Sequence, residues 1–159
     1  MKRTARDILR DKGGHMLTIS SEATVHEAVS FMNQKRVGAI LVVDESSQII
    51  GIWTERDLMR RVVEPGFDSK KERVSSGMTS NLISANIDAT PYELYEKFVG
   101  RRIRHLLIEE FGSYVGILSA GDVMHATLQQ SAEEYRNLNE MVSMEYYENW
   151  KAQAQEALR

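Results

Sequence analysis

Gly51-Ile52-Trp53-Thr54-Glu55-Arg56-Asp57-Leu58-Met59 is answered 65 positions later by Gly116-Ile117-Leu118-Ser119-Ala120-Gly121-Asp122-Val123-Met124. Glycine, isoleucine, a hydroxyl residue, aspartate and methionine recur at one spacing. Working outward, Thr18 to Thr24 aligns with Ser84 to Thr90 at an offset of 66, and Ile40 to Asp44 aligns with Leu106 to Glu110 at the same offset. One residue is then lost where Glu45 to Gln48 faces Phe111 to Ser113. A surface turn is where a length change costs least. Internal repetition decides architecture before any single element does, and here one unit is duplicated.

A unit of roughly 60 residues buries too little of its surface to be secure alone. Two halves are therefore expected to pack on each other about a pseudo-twofold axis. Thr4-Ala5-Arg6-Asp7 opens a short capped helix, which Gly13-Gly14 ends, and Met16 to Ile19 reads as a strand. Val25, Ala28, Val29 and Met32 lie on one helical face. Ala39 to Val43 and Gln48 to Trp53 form strands around the polar turn Asp44 to Ser47, and a helix runs from Glu55 to Val63. The second unit repeats the order: strand Leu82 to Ala85, helix Tyr92 to Val99, strands His105 to Glu109 and Tyr114 to Leu118, then a helix from Ser119. The predicted fold class is α/β (α+β), built from two β-α-β-β-α repeats. Residues 4–64 form repeat 1, 65–73 a linker marked by Pro65-Gly66 and charge, 74–128 repeat 2, and 129–159 a C-terminal helical extension.

That extension follows from a lack of breakers. No proline or glycine occurs after Gly121, and Leu128, Ala132, Tyr135, Leu138, Val142, Tyr146, Trp150, Ala154 and Ala157 continue one apolar stripe. At 1.5 Å per residue such a helix approaches about 60 Å, longer than a small domain. Two destinations are open for the stripe: its own domain, or a partner helix or second subunit.

Composition excludes several classes of function. Hydrophobic content of 42% with 27% charged residues is ordinary for a globular protein. No run approaches the ~20 apolar residues of a membrane span, and a net charge of −3 argues against a nucleic-acid footprint. Cysteine is absent, which removes disulfides, thiol catalysis and zinc-thiolate sites and fits a reducing compartment. Met1 to Asp7 has no apolar run after its charges and does not read as a secretory signal, so a cytoplasmic location is expected. His15, His26, His105 and His125 show no metal-ligand spacing. There is no glycine-rich phosphate loop or nucleophile elbow, and nothing beside Asp57 or Asp122 supplies a nucleophile. The chain is not expected to be an enzyme.

Thr54-Glu55-Arg56-Asp57 and Ser119-Ala120-Gly121-Asp122 carry two readings. As capping boxes, the hydroxyl accepts a free N–H of the first helical turn and the acid favours the positive end of the dipole. As a ligand site, the strand-to-helix corner presents N–H groups to a phosphate, while the aspartate accepts from ribose hydroxyls, as acids do in nucleotide-binding folds. Arg56 supplies charge for a phosphate; repeat 2 has Gly121 in its place. Lys35-Arg36 and Arg101-Arg102 suit helix C-termini. Arg104 and His105 lead straight into an apolar strand, so their polar groups are expected to face a cleft.

These residues together resemble a known family. The element order, the Gly-Ile-x-Thr/Ser-x-x-Asp ending and Arg104-His105 before the apolar strand are similar to cystathionine-β-synthase (CBS) domains. Two in tandem resemble the Bateman module over residues 4–128, of the small stand-alone bacterial and organellar type. The resemblance implies a non-catalytic sensor that binds AMP, ADP, ATP, NAD or S-adenosylmethionine in two clefts between the repeats, with no catalytic cofactor. It implies that Asp57 and Asp122 hold ribose hydroxyls and that Thr54 and Ser119 lie at ribose or phosphate. Thr18-Ile19 and Ser84-Ala85 would line adenine, and Arg56, Arg104 and His105 would meet phosphates. It implies a homodimer, with the C-terminal helix available to a protein partner. The alternative is a structural dimerisation protein without a ligand. Ser21 and Ile87 stand where the family often has proline, and Pro91-Tyr92 opens the second repeat's helix.

Overall fold

The computed structural model describes residues 3–13 and 15–156, with side-chain surroundings through Met144. Gly14 and Ala157 lie outside the described residues, as do the side chains of Tyr146, Trp150 and Ala154. Helix α1 (Ala5–Lys12) precedes β1 (Thr18–Ser20), α2 (Val25–Lys35), β2 (Ala39–Val43), β3 (Ile49–Thr54) and α3 (Glu55–Arg61). After a 3-10 turn at Val74–Ser76 come β4 (Ser84–Asn86), α4 (Pro91–Arg101), β5 (His105–Glu110), β6 (Ser113–Ser119) and α5 (Ala120–Glu156).

The duplication is visible residue by residue. Each repeat holds a three-stranded sheet, ordered β1-β2-β3 or β4-β5-β6. In each, the first pair is parallel and the second antiparallel, with Thr18 opposite Leu41 and Ser84 opposite Leu107. Register shifts fall at Val42/Val43 and at Ile108/Glu109, equivalent places. The lost residue is explained by turn chemistry. Asp44 Oδ1 accepts from the backbone N–H groups of Ser46 and Gln48, both at 2.9 Å, and ties the longer first turn. Phe111 (φ 50°) and Gly112 (φ 78°) form a two-residue turn in the second, whose paired positive φ angles match the twist of a tight hairpin.

The cores are exchanged between repeats. Val74, at the start of repeat 2 and ahead of its first strand, is fully buried with Val25, Ala28, Ile40 and Trp53 of repeat 1, and Met78 packs against them. Reciprocally, Ala5, Ile8 and Leu9 of α1 are buried with Leu94, Phe98, Leu106 and Leu118 of repeat 2. Backbone bonds seal both exchanges: Ala5 N–H to Ala89 O at 2.8 Å, and Val74 N–H to Ala23 O at 2.9 Å. The leading glycine of the repeated phrase has its reason here. A Cβ built at Gly116 would lie 2.5 Å from Leu9 Cδ2, and one at Gly51 would press on the side chain of Met78. Each glycine lets the incoming segment cross the sheet.

Helix α5 begins in the core and leaves it. Val123 and Ala126 are buried, whereas Leu128, Tyr135, Leu138, Met141 and Val142 are exposed. Of the two destinations for the stripe, packing on its own domain does not occur through Met144, because every residue from 131 to 144 is exposed.

The crossing predicts a coupled pair of substitutions. Gly116→Ala should cost about 1–3 kcal/mol through overpacking, and Leu9→Ala about 2–5 kcal/mol through a cavity. The double variant should cost clearly less than the sum, since the new methyl enters the space Leu9 vacates. Urea unfolding of the four proteins measures this, and strict additivity would contradict the crossing.

Candidate functional site

Both strand-to-helix corners are capping boxes in fact. Asp57 Oδ2 accepts from Thr54 N–H at 2.9 Å and Thr54 Oγ1 at 2.6 Å, and the Asp57 N–H donates back to Thr54 Oγ1 at 3.3 Å. In repeat 2, Ser119 N–H donates to Asp122 Oδ2 at 2.7 Å and Asp122 N–H to Ser119 Oγ at 3.1 Å. The cap uses one carboxylate oxygen. Asp57 Oδ1 faces Thr79 Oγ1 at 3.3 Å, with Arg60 Nη1 3.9 Å away. Asp57 is the one buried charged residue among the described residues, at 5% exposure.

Each corner opens on a cleft whose opposite wall belongs to the other repeat. The first, about 350 Å³, is lined by Thr54, Glu55, Arg56, Asp57 and Arg60 on one side and by the Arg101–His105 turn on the other, with Gly38, Ile52 and Thr79 completing it. The second, about 310 Å³, joins Ser119, Asp122 and Ile117 to the Arg36–Leu41 segment, with Lys12, His15, Leu17 and His105. Both volumes sit at the small end of the ligand-pocket range. Arg36 and Arg102 hold equivalent left-handed positions (φ 55° and 52°) at the ends of α2 and α4. Both helix-end cations line a cleft, Arg102 the first and Arg36 the second. Arg56 Nη1 donates to Arg102 O at 2.6 Å and bridges the first cleft.

The electrostatics of the two clefts differ. Five arginines (56, 60, 101, 102 and 104) surround the first against two acids, Glu55 and Asp57. The second holds a direct ion pair, Lys12 Nζ to Asp122 Oδ2 at 2.7 Å. Burial opposes the Asp122 charge, but Lys12 and the Ser119 hydrogen bonds outweigh it and hold the carboxyl below its ordinary value. Burial, with help from the Lys12 and Arg104 charges, pushes the His105 imidazole below its ordinary 6.5, against the pull of Asp122 and Glu55. His105 is paired with Ser119 across the sheet and lines both clefts.

The structure thus gathers Thr54, Arg56, Asp57, Arg104 and His105 around one cavity, and Ser119, Asp122 and His105 around the other. Thr18 and Ile19 instead line an open depression against α2, with Glu27 and Phe31. Ala85 lies in the matching depression against α4, and Ser84 Oγ donates to Glu109 Oε2 at 2.9 Å. These four line neither cleft; Leu17, one residue earlier, lines the second. Sequence reading missed Arg60, Thr79 and Lys12. Arg60 was reachable, being one helical turn beyond Arg56. Thr79 and Lys12 arrive with the exchanged segments, which no local spacing announces. Among the described residues, no cluster of three His, Asp or Glu side chains is placed to hold a metal, and no helix is long and apolar enough to cross a membrane.

Comparison with known proteins agrees with the duplicated fold. The family model for the CBS domain matches twice, over residues 5–64 and 72–129. The chain is similar to the mitochondrial CBS domain-containing protein CBSX3 of Arabidopsis thaliana, 32% identical over 151 residues, covering 90% of this chain and 73% of that one. It spans under a quarter of the length of several longer Arabidopsis relatives (22–24%). Its fold is similar to the CBS-domain protein ATU1752 of Agrobacterium tumefaciens (TM-score 0.76, 35% identity, covering 80% and 95% of the two chains). It also resembles the CBS domain pair of protein MJ0100, solved with 5′-methylthioadenosine and S-adenosyl-L-methionine (TM-score 0.70, 21% identity, covering 82% and 99%). Two matched repeats, two mirrored corners and these relatives together place the chain in the CBS-domain family, as a tandem pair.

Proposed function

We propose that this chain is a non-catalytic regulatory module that binds an adenosine-containing ligand (AMP, ADP, ATP, NAD or S-adenosylmethionine) between its repeats, with the first cleft as the principal site. One observation carries the reading: Asp57, buried and pre-oriented by its own cap, keeps Oδ1 beside a cavity ringed by arginines contributed by both repeats. A ribose hydroxyl can donate to that oxygen while a phosphate meets guanidinium groups. The complex of the MJ0100 pair with two adenosine derivatives supports the ligand class. Ligand seated between the repeats favours whichever relative packing it binds more tightly, and that difference is the signal. Exposed Tyr135, Leu138 and Val142 on α5 support a homodimer or a protein partner as its receiver, in a cytoplasmic setting.

The competing reading, a structural dimerisation protein, is favoured by the completeness of the Asp57 cap. The two separate cleanly. Calorimetric titration with AMP, ATP and NAD should detect saturable binding, and a ligand at 100 times its Kd should add about 2.7 kcal/mol of stability. Asp57→Ala should abolish the strongest site as well as lose about 1 kcal/mol through the cap. Loss of stability with no nucleotide effect in either protein would leave only the structural role.

The clefts also set a pH dependence. His105 titrates lower folded than unfolded, so the unfolded chain binds its proton first as pH falls. Stability present above pH 6.5 is therefore lost progressively below it. Thermal unfolding from pH 7 to about 5 should show a shallower decline for His105→Gln than for the unmodified protein. Equal slopes would place the imidazole in solvent rather than in the cleft wall.

A further inference from the structure

The two hydrophobic cores divide the chain differently from its repeats. One draws only on residues between Leu17 and Met78, the other only on residues 5–9 and 83–126. The chain therefore forms two bodies, residues 15–79 and residues 3–13 with 80–128, and it passes between them after Gly13 and after Thr79. Three buried apolar residues, Ala39, Leu41 and Leu107, belong to neither core. On β2, Ile40 and Val42 enter the first core, so Ala39 and Leu41 lie on the opposite face of the sheet. On β5, Leu106 and Ile108 enter the second core, and Leu107 faces away from it. These three fill the seam where the bodies meet.

Polar contacts follow the same division. Among the described residues, every salt bridge lies within one body. The backbone bonds of sheets, bridges and loops also stay within a body. One hydrogen bond crosses, from Arg56 Nη1 to Arg102 O at 2.6 Å. Its pseudo-symmetric counterpart does not exist. Arg36 ends α2 in the same left-handed conformation as Arg102 ends α4, but the residue equivalent to Arg56 is Gly121, which has no side chain to donate.

We infer that the Arg56–Arg102 hydrogen bond is a latch that holds the two bodies in one arrangement across the first cleft, leaving the second cleft untied. The apolar seam alone cannot do this, because hydrophobic contact is non-directional. Arg56 lies in the first turn of α3, which the Thr54–Asp57 cap fixes, so the donor starts from a rigid base. A guanidinium carries five N–H donors, and the latch uses one of them. Whatever engages the others in the first cleft acts directly on the one polar tie between the bodies. The latch belongs to the chain without any ligand and does not rest on the nucleotide reading.

The test is the distance between spin labels on the two bodies, read by pulsed electron resonance. The chain has no cysteine, so Asn33→Cys on α2 and Glu96→Cys on α4, both exposed, supply the only labels. Dilution with unlabelled chain restricts the signal to pairs within one molecule. Arg56 belongs to neither core, so Arg56→Met leaves both bodies folded. The unmodified background should give one narrow distance. Arg56→Met should add a second population, with the closed-to-open ratio falling about tenfold or more, the worth of a hydrogen bond from a charged donor. Arg60→Met removes an arginine of the same cleft whose ion pair, with Asp57, stays within its own body, and should keep the single distance. An unchanged distance in Arg56→Met, or equal broadening in Arg60→Met, overturns the latch and leaves the ligand reading untouched.

Discussion

The structure depends on a reciprocal exchange: each repeat's core is closed by the segment that leads into the other. Leu9 against Gly116 and Met78 against Gly51 are the contacts at which the segments cross. Neither repeat can shed its partner without opening its own hydrophobic interior. The clefts are a by-product of this arrangement, because each strand-to-helix corner must then face the α-to-β turn of the opposite repeat. A ligand placed there touches both halves at once, which is the geometric requirement for a module that reports occupancy by shifting one half against the other.

Capping and recognition turn out to be compatible uses of one carboxylate. The cap engages Asp57 Oδ2 and fixes the side chain's rotamer, leaving Oδ1 directed to the Thr79 side. An acid held this way needs no reorganisation to accept a hydroxyl, the usual advantage of a group locked by its surroundings. Duplication then allowed divergence. Arg56 bridges to Arg102 O in the first cleft, whereas Gly121 offers nothing comparable and the second cleft is lined by Arg36 and by Lys12, which pairs with Asp122.

Much of this was legible in the sequence, and the boundary is physical. The repeat fixes element order, and hydrophobic period locates α2, β2 and β5 closely, because those elements bury one face against their own neighbours. The corners were legible because Thr54 to Asp57 and Ser119 to Asp122 are local motifs. What could not be read is everything that depends on exchange. Residues 65–73 read as a linker and residue 74 as the start of repeat 2, yet Val74 is fully buried in the core of repeat 1. Helix α1 looks like part of repeat 1 and packs into repeat 2. Thr79 and Lys12 enter the clefts by that route alone. The α5 stripe had two possible destinations, and through Met144 it does not pack on its own domain, because residues 131–144 are exposed.

The central claim is that a nucleoside lies between the Thr54–Asp57 corner and the Arg102–Arg104 turn, touching both repeats. Amide chemical shifts of the labelled protein followed during AMP addition examine this most directly. The account predicts that Thr54, Arg56 and Asp57 move together with Arg102 and Arg104 along one saturable curve. Shifts confined to a single repeat, or none at large nucleotide excess, would contradict it.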